Sequence, residues 1–180
     1  MRINRFTFFG KIYYRVLYKL NSEKCAREMG VSIGKNLHIY GNVAFGSEPW
    51  LVSLGDNVHL TDGVRFICHD GGTLIFRDKV PDLEITAPIR LGNNVYVGNN
   101  VIFLPGVTIG DNVVIGAGAV VSKSIPSNSV AAGVPARVIK SADEYFEKIK
   151  KNSLHLGHLS GKEKDDELKK HFSYNHNFDA

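Results

Sequence analysis

Between Leu91 and Pro126 the chain repeats itself every six residues: LGNNVY, VGNNVI, FLPGVT, IGDNVV, IGAGAV, VSKSIP. An apolar residue opens each unit (Leu91, Val97, Phe103, Ile109, Ile115, Val121), and a second follows four positions later (Val95, Val101, Val107, Val113, Ala119, Ile125). Gly follows the opener in four of the six units. Six is neither the helical period nor the two-residue alternation of a plain strand. It is the repeat of a chain wound into short parallel strands joined by tight turns, a β-helix. Strands this short cannot bury an apolar face alone, so stability comes from stacking coil on coil.

The pattern begins earlier and less regularly. Units IGKNLH, IYGNVA and FGSEPW run from Ile33; three residues are inserted; LGDNVH, LTDGVR and FICHDG follow from Leu54. After Gly71 the rhythm breaks for about nineteen residues, GTLIFRDKVPDLEITAPIR, with two Pro and mixed charge. This stretch, 71–90, reads as a protruding loop, and long loops on rigid scaffolds usually carry function. The β-helix is expected over 31–140, between an N-terminal segment (1–30) and a C-terminal extension (141–180).

In the N-terminal segment Phe6, Phe9, Tyr13, Val16, Leu17 and Leu20 recur as on one face of a helix. Arg2, Arg5, Lys11, Arg15 and Lys19 are positive, and no acid precedes Glu23. Such a helix can cover the raw edge of the β-helix or lie on an anionic membrane. Capping is the preferred reading, and the two can coexist. In the extension, Ser141 with Glu144 and Ser160 with Glu163 resemble capping boxes that open two peripheral helices.

Composition narrows the rest. A hydrophobic share of 43% over 180 residues supports one real core. No apolar run is long enough to cross a bilayer, and the N-terminus lacks the features of a secretory signal. Cys25 and Cys68 make no disulfide framework, so a reducing cytoplasm is expected. The net charge of +4 is modest and no nucleic-acid motif is present, so nucleic acid is not an expected partner.

His69 is the first choice for chemistry. It occupies the fourth place of its unit, on the last coil before the long loop. Imidazole titrates near neutrality, so it can take a proton from a weak nucleophile such as a hydroxyl and hand it on. Asp70 is the candidate to orient that ring, as a carboxylate does in a triad; closing the turn before Gly71 and Gly72 is its alternative role. Cys68 reads better as a small buried thiol than as a nucleophile. His38 and His59 hold the same place in stacked units, but His69 is out of phase with them and a catalytic zinc on this fold needs three His, so no metal is expected. Asn57, Asp62 and Arg65, on the coils leading to His69, are the planar polar candidates for gripping a sugar, with turn and surface roles open to them.

The stretch from Pro88 to Lys140, PIRLGNNVYVGNNVIFLPGVTIGDNVVIGAGAVVSKSIPSNSVAAGVPARVIK, resembles the hexapeptide-repeat acyltransferases. It is most similar to sugar O-acetyltransferases: galactoside and maltose acetyltransferases, and enzymes that acetylate bacterial surface polysaccharides. The resemblance implies an all-β core, a left-handed parallel β-helix with terminal helices, and a homotrimer whose sites lie between neighbouring subunits. It implies acetyl-CoA as co-substrate and an essential His at the place of His69. Tyr96 stands where many relatives have a Trp walling the acyl site. The positions matching the coenzyme-binding residues are Asn99, Ala117, Ser122, Lys123, Arg137 and Lys140, the three cations suiting nucleotide phosphates.

The expected function is therefore acetyl transfer from acetyl-CoA to a sugar hydroxyl in surface-polysaccharide synthesis, with His69 as base and backbone amides near 96–99 facing the oxyanion. Two alternatives stay open: N-acetylation of an amino sugar or antibiotic-like acceptor, and a non-catalytic β-helix scaffold. An acceptor panel separates the first from the leading reading, and coenzyme binding separates the second.

Overall fold

The computed structural model describes residues 7–174. Short parallel strands stack into three sheets, the faces of a left-handed parallel β-helix with an all-β core. The first face holds Ser32–Ile33, Val52–Leu54, Ile89–Leu91 and Thr108–Ile109. The second holds His38–Ile39, Val58–Leu60, Val95–Val97, Val113–Ile115 and Ser129–Ala132. The third holds Arg65–Phe66, Ile102–Phe103 and Val120–Val121. Register stacks like residues along the second face, where Val58 pairs Val95 and Val95 pairs Val113, until the last coil sets Ser129 over Val113. The last strand, Arg137–Ser141, returns antiparallel to Ser129–Ala132.

The repeat becomes a core because both apolar places of each unit point inward. Val95, Val97, Val101, Phe103, Val107, Ile109, Val113, Ile115, Ala119 and Val121 are all buried. Each large side chain of this kind contributes roughly 1.5–3 kcal/mol on burial. Phe45, Phe66 and Phe103 form a column behind the third face, with centroids 5.3 and 5.1 Å apart.

The corner from the first face to the second is built by one residue type. Asn36, Asn57, Asn94, Asn112 and Asn128 all adopt φ of 54–57°. Asn tolerates this left-handed conformation better than other side-chain-bearing residues. The amides also chain along the rod: Asn57 Nδ2 donates to Asn94 Oδ1 at 3.0 Å, Asn94 to Asn112 at 3.0 Å, and Asn112 to Asn128 at 2.9 Å.

The N-terminal segment is two helices, α1 (Phe8–Leu20) and α2 (Ser22–Met29). Asn21 makes the break: it ends α1 and its side chain caps α2 by accepting from Lys24 N–H at 2.8 Å. Tyr18 docks α1 on the first coil, donating to Gly41 O at 2.8 Å and accepting from Val43 N–H at 2.7 Å. Ala26 of α2 joins the core cluster with Val31 and Leu37. The single apolar face expected from the sequence is divided. Tyr13, Tyr14, Leu17 and Tyr18 are half-buried, whereas Phe9, Val16 and Leu20 are exposed on the other side. Arg2, Arg5 and Phe6 lie outside the described residues.

The 71–90 excursion starts with a tight helical turn, Gly71–Phe76. Its ends are tied together: Asp70 N–H donates to Ile85 O at 2.9 Å and Ala87 N–H to Cys68 O at 2.8 Å. A second compact unit starts at Glu144. Within it, α3 (Ala142–Lys151) continues and is followed by α4 (Gly161–His171). Ser160 is the N-cap of α4 but makes no side-chain capping bond, so the capping box read there is not formed. Lys162–Asp166 and Lys169–Asp165 pairs brace α4 instead. No helix among the described residues is long and apolar enough to cross a membrane.

Candidate active site

From the third face the chain turns through Ile67, Cys68 and His69 before entering the excursion. Ile67 N–H still donates to the next coil, at Phe103 O (3.0 Å). Cys68 points inward and is fully buried; burial first, and the Glu48 charge second, push its thiol up to about 11. It is therefore a protonated core residue at neutral pH, not a nucleophile. His69, next along the strand, faces outward.

One coil earlier the same corner is Gly46–Ser47–Glu48. Glu48 Oε2 lies 2.9 Å from His69 Nδ1, and Ser47 Oγ lies 3.4 Å from the same nitrogen. A carboxylate only accepts, so Nδ1 of the neutral ring carries the proton and Nε2 keeps its lone pair. Nε2 makes no hydrogen bond among the described residues. The side chains are 41% (His69) and 22% (Glu48) exposed, so the carboxylate is the better shielded of the two. The pair borders an open cavity of about 250 Å³, lined also by Thr73, Leu74, Arg77 and Glu84 of the excursion.

Asp70 does not orient this ring. Its Oδ1 accepts from Gly72 N–H at 2.9 Å and caps the helical turn, because adjacent side chains diverge in extended backbone. The carboxylate at hydrogen-bond distance from the ring is Glu48, which the sequence reading missed. A signal was present: Glu48 is fourth in FGSEPW, as His69 is fourth in FICHDG one coil later.

Two of the sugar-binding candidates are committed to the scaffold. Asn57 spends its amide on Asn94 and on His59 Nε2 (3.2 Å). Asp62 Oδ1 accepts from Asn42 N–H at 2.7 Å, closing the corner below. Arg65 is exposed on the third face, above Ala44 and below Ile102. Tyr96 is exposed on the second face, paired with His59 below and Val114 above. Near the 96–99 turn two amides are already paired within the rod. Gly98 N–H is bonded to Ile115 O at 2.9 Å and Asn100 N–H to Asp62 O at 2.9 Å. Gly98 itself is required, since a Cβ there would meet Ala117 N at 2.6 Å.

The matched coenzyme positions divide between the two edges of the third face. Asn99 and Ala117 lie on the corner that leads into it, joined by Gly118 N–H to Asn99 O at 2.7 Å. Ser122 and Lys123 lie on the corner that leaves it, the same edge as His69, two coils on. Between them the outward residues are Ile102 and Val120, half-buried and apolar. Arg137 and Lys140 lie on the return strand. Within one chain His69, Asn99, Ala117, Ser122 and Lys123 therefore border the third face, while Arg137 and Lys140 extend the second face, which also carries Tyr96.

His38 and His59 stack at 4.5 Å with Tyr40 parallel to both. Both ring nitrogens of His59 are bonded, Nε2 to Asn57 Oδ1 (3.2 Å) and Nδ1 to Tyr40 Oη (3.0 Å). Burial, then the neighbouring His38, hold it below the ordinary histidine range. Among the described residues no group of three or more His, Cys, Asp or Glu is arranged to hold a metal ion.

Comparison with known proteins agrees with this architecture. Residues 88–123 match the family described as bacterial transferase hexapeptide (six repeats). The chain is 42% identical over 156 residues to Protein CapG of Staphylococcus aureus, covering 86% of this chain and 91% of that one. Its fold superposes on a maltose O-acetyltransferase from Clostridium difficile 630 with a TM-score of 0.54 and 31% identity, covering 72% of this chain and 84% of the other. It superposes on a galactoside acetyltransferase in complex with coenzyme A with a TM-score of 0.52 and 30% identity, covering 76% and 82%. The chain belongs to the hexapeptide-repeat acyltransferases, in the group related to sugar O-acetyltransferases.

Proposed function

We propose that this protein transfers an acetyl group from acetyl-CoA to a sugar hydroxyl, in the synthesis of a surface polysaccharide. The observation that carries the reading is the His69–Glu48 pair: a ring whose Nδ1 proton is held by a carboxylate 2.9 Å away, leaving Nε2 as a base. Nε2 takes the proton of the sugar hydroxyl as its oxygen attacks the thioester carbonyl. The tetrahedral intermediate collapses, the C–S bond breaks, and the departing sulfur receives the proton from Nε2. Glu48 stabilises the imidazolium between these steps and fixes the ring's direction.

Coenzyme A bound to the galactoside acetyltransferase of the same fold supports acetyl-CoA as the donor. On this reading Asn99, Ala117, Ser122, Lys123, Arg137 and Lys140 hold it. The apolar strip of Ile102 and Val120 suits a pantetheine arm, and the three cations suit the phosphates. His69 and Tyr96 stand on different faces of one rod. A site containing both needs a second copy, which supports a homotrimer with sites shared between neighbours. The reading includes a cytoplasmic location and contact of residues 1–20 with the inner membrane surface.

The deciding experiment measures coenzyme A release with a panel of hydroxyl and amino sugars, together with calorimetric coenzyme binding. Wild-type protein should turn over a hydroxyl sugar, and His69→Ala should bind coenzyme A without turnover. Turnover confined to amino sugars would overturn the O-transfer reading, and undiminished turnover by His69→Ala would remove it as the base.

A further inference from the structure

Eight positions of α1 are exposed, and every one is large and apolar or basic: Phe8, Phe9, Lys11, Ile12, Arg15, Val16, Lys19 and Leu20. Phe9 and Leu20 are each 80% exposed. Phe8, Ile12, Val16 and Leu20 are spaced four apart and form one row along the helix, with Phe9 beside its start. Lys11, Arg15 and Lys19 are also four apart and form a second row along its edge. The helix contains no acid.

This face is not free to turn inward. Tyr18 is pinned to Gly41 and Val43 of the first coil, Tyr13 donates to Glu28 at 2.9 Å, and Cys25 Sγ contacts Tyr14 O at 3.5 Å. The opposite side of α1 is thereby spent on α2 and the rod, and the Phe8–Leu20 row is held outward.

We infer that this row inserts into the interfacial region of an anionic phospholipid bilayer while Lys11, Arg15 and Lys19 bind lipid phosphates, so that α1 docks the rod on a membrane. The inference builds on the membrane contact proposed above, and is independent of the transfer chemistry. A helix with one apolar row and one basic edge matches a bilayer whose hydrocarbon begins just below a plane of negative charge. A second copy is a poorer partner: a two-fold contact through this face would set the three cations of one α1 against those of the other. Docking is surface-bound, since α1 has 13 residues and cannot span.

The test is co-sedimentation of the full chain with vesicles of phosphatidylcholine alone or mixed with phosphatidylglycerol, at low and high salt. The protein should pellet with the mixed vesicles, about tenfold less with phosphatidylcholine alone, and less in high salt. Phe8→Ser with Phe9→Ser, and separately Lys11→Glu with Arg15→Glu, should each abolish pelleting while melting temperature and solution mass stay at wild-type values. A wild-type protein that stays in the supernatant with both vesicles overturns the inference. So does equal pelleting by wild type and both variants, and so does a fall in solution mass for either variant, which would make the face a contact between copies. Acetyl transfer to a soluble sugar, measured on the same preparations, separates the two readings: inert protein that still pellets leaves the docking face standing.

Discussion

Glu48 and His69 occupy the same corner of successive coils, 21 residues apart in sequence and 2.9 Å apart at Oε2 and Nδ1. A regular coil is 18 residues, as between Asn94 and Asn112; the three-residue insertion before Leu54 makes up the difference. Replacing Glu48 with Gln keeps the shape but removes the negative charge, and an amide can donate to Nδ1 as well as accept from it, so the ring's tautomer is no longer fixed. The turnover number should fall roughly tenfold to a thousandfold. The KM for acetyl-CoA should stay near wild type, and Glu48→Asp should recover part of the rate. Steady-state kinetics on the three proteins reads this directly; an unchanged turnover number in Glu48→Gln would remove it as the positioning residue.

Cys68 adjoins the base yet takes no part in the chemistry proposed. With its thiol pushed up to about 11, it should resist iodoacetamide at pH 8, and Cys68→Ala should keep its turnover. Its titration also shapes alkaline stability. The unfolded thiol ionises near 9 while the folded one keeps its proton to higher pH, so its contribution is complete below 9 and lost as pH rises toward 11. Melting temperatures from pH 8 to 11 should fall less steeply in Cys68→Ala than in wild type.

His59 has the opposite sign. Held below the ordinary value of 6.5, it binds fewer protons folded than unfolded. Stability should therefore be full above that value and decline as pH falls through it. His59→Gln should flatten the decline, as measured by melting between pH 7.5 and about 5.

Asn94 carries both a left-handed backbone and two ladder bonds, from Asn57 and to Asn112. Asn94→Ala should cost roughly 1–3 kcal/mol in denaturant unfolding, combining αL strain with lost hydrogen bonds. Asn94→Gly removes the strain and should cost less, which separates the two contributions.

The coils were legible because their signal is strictly local: an opener and a residue four later, repeated, fix face, corner and core at once. His69 was legible as the polar residue where that repeat breaks. Its partner was not. Glu48 sits in a unit with Pro49 and Trp50 where the pattern is irregular, and which coil overlies which depends on counting through the insertion. Asp70 drew attention by adjacency, although neighbouring extended residues point apart. Asn57 and Asp62 looked like sugar ligands because a corner and a binding site favour the same planar polar side chains; only their hydrogen bonds distinguish the uses. In α1 the apolar spacing announced a helix, but side chains that cover the first coil and side chains that face outward have the same composition.

The reversal of direction at Arg137–Ser141 has a consequence for the whole rod. A stack of parallel rungs is a ready template, because its terminal strand offers the same unpaired groups that the next identical rung would satisfy. By folding a strand back against Ser129–Ala132, the chain supplies that next rung itself, in the wrong polarity for another copy to continue. Cutting the return strand away should turn a discrete particle into a seed for filaments.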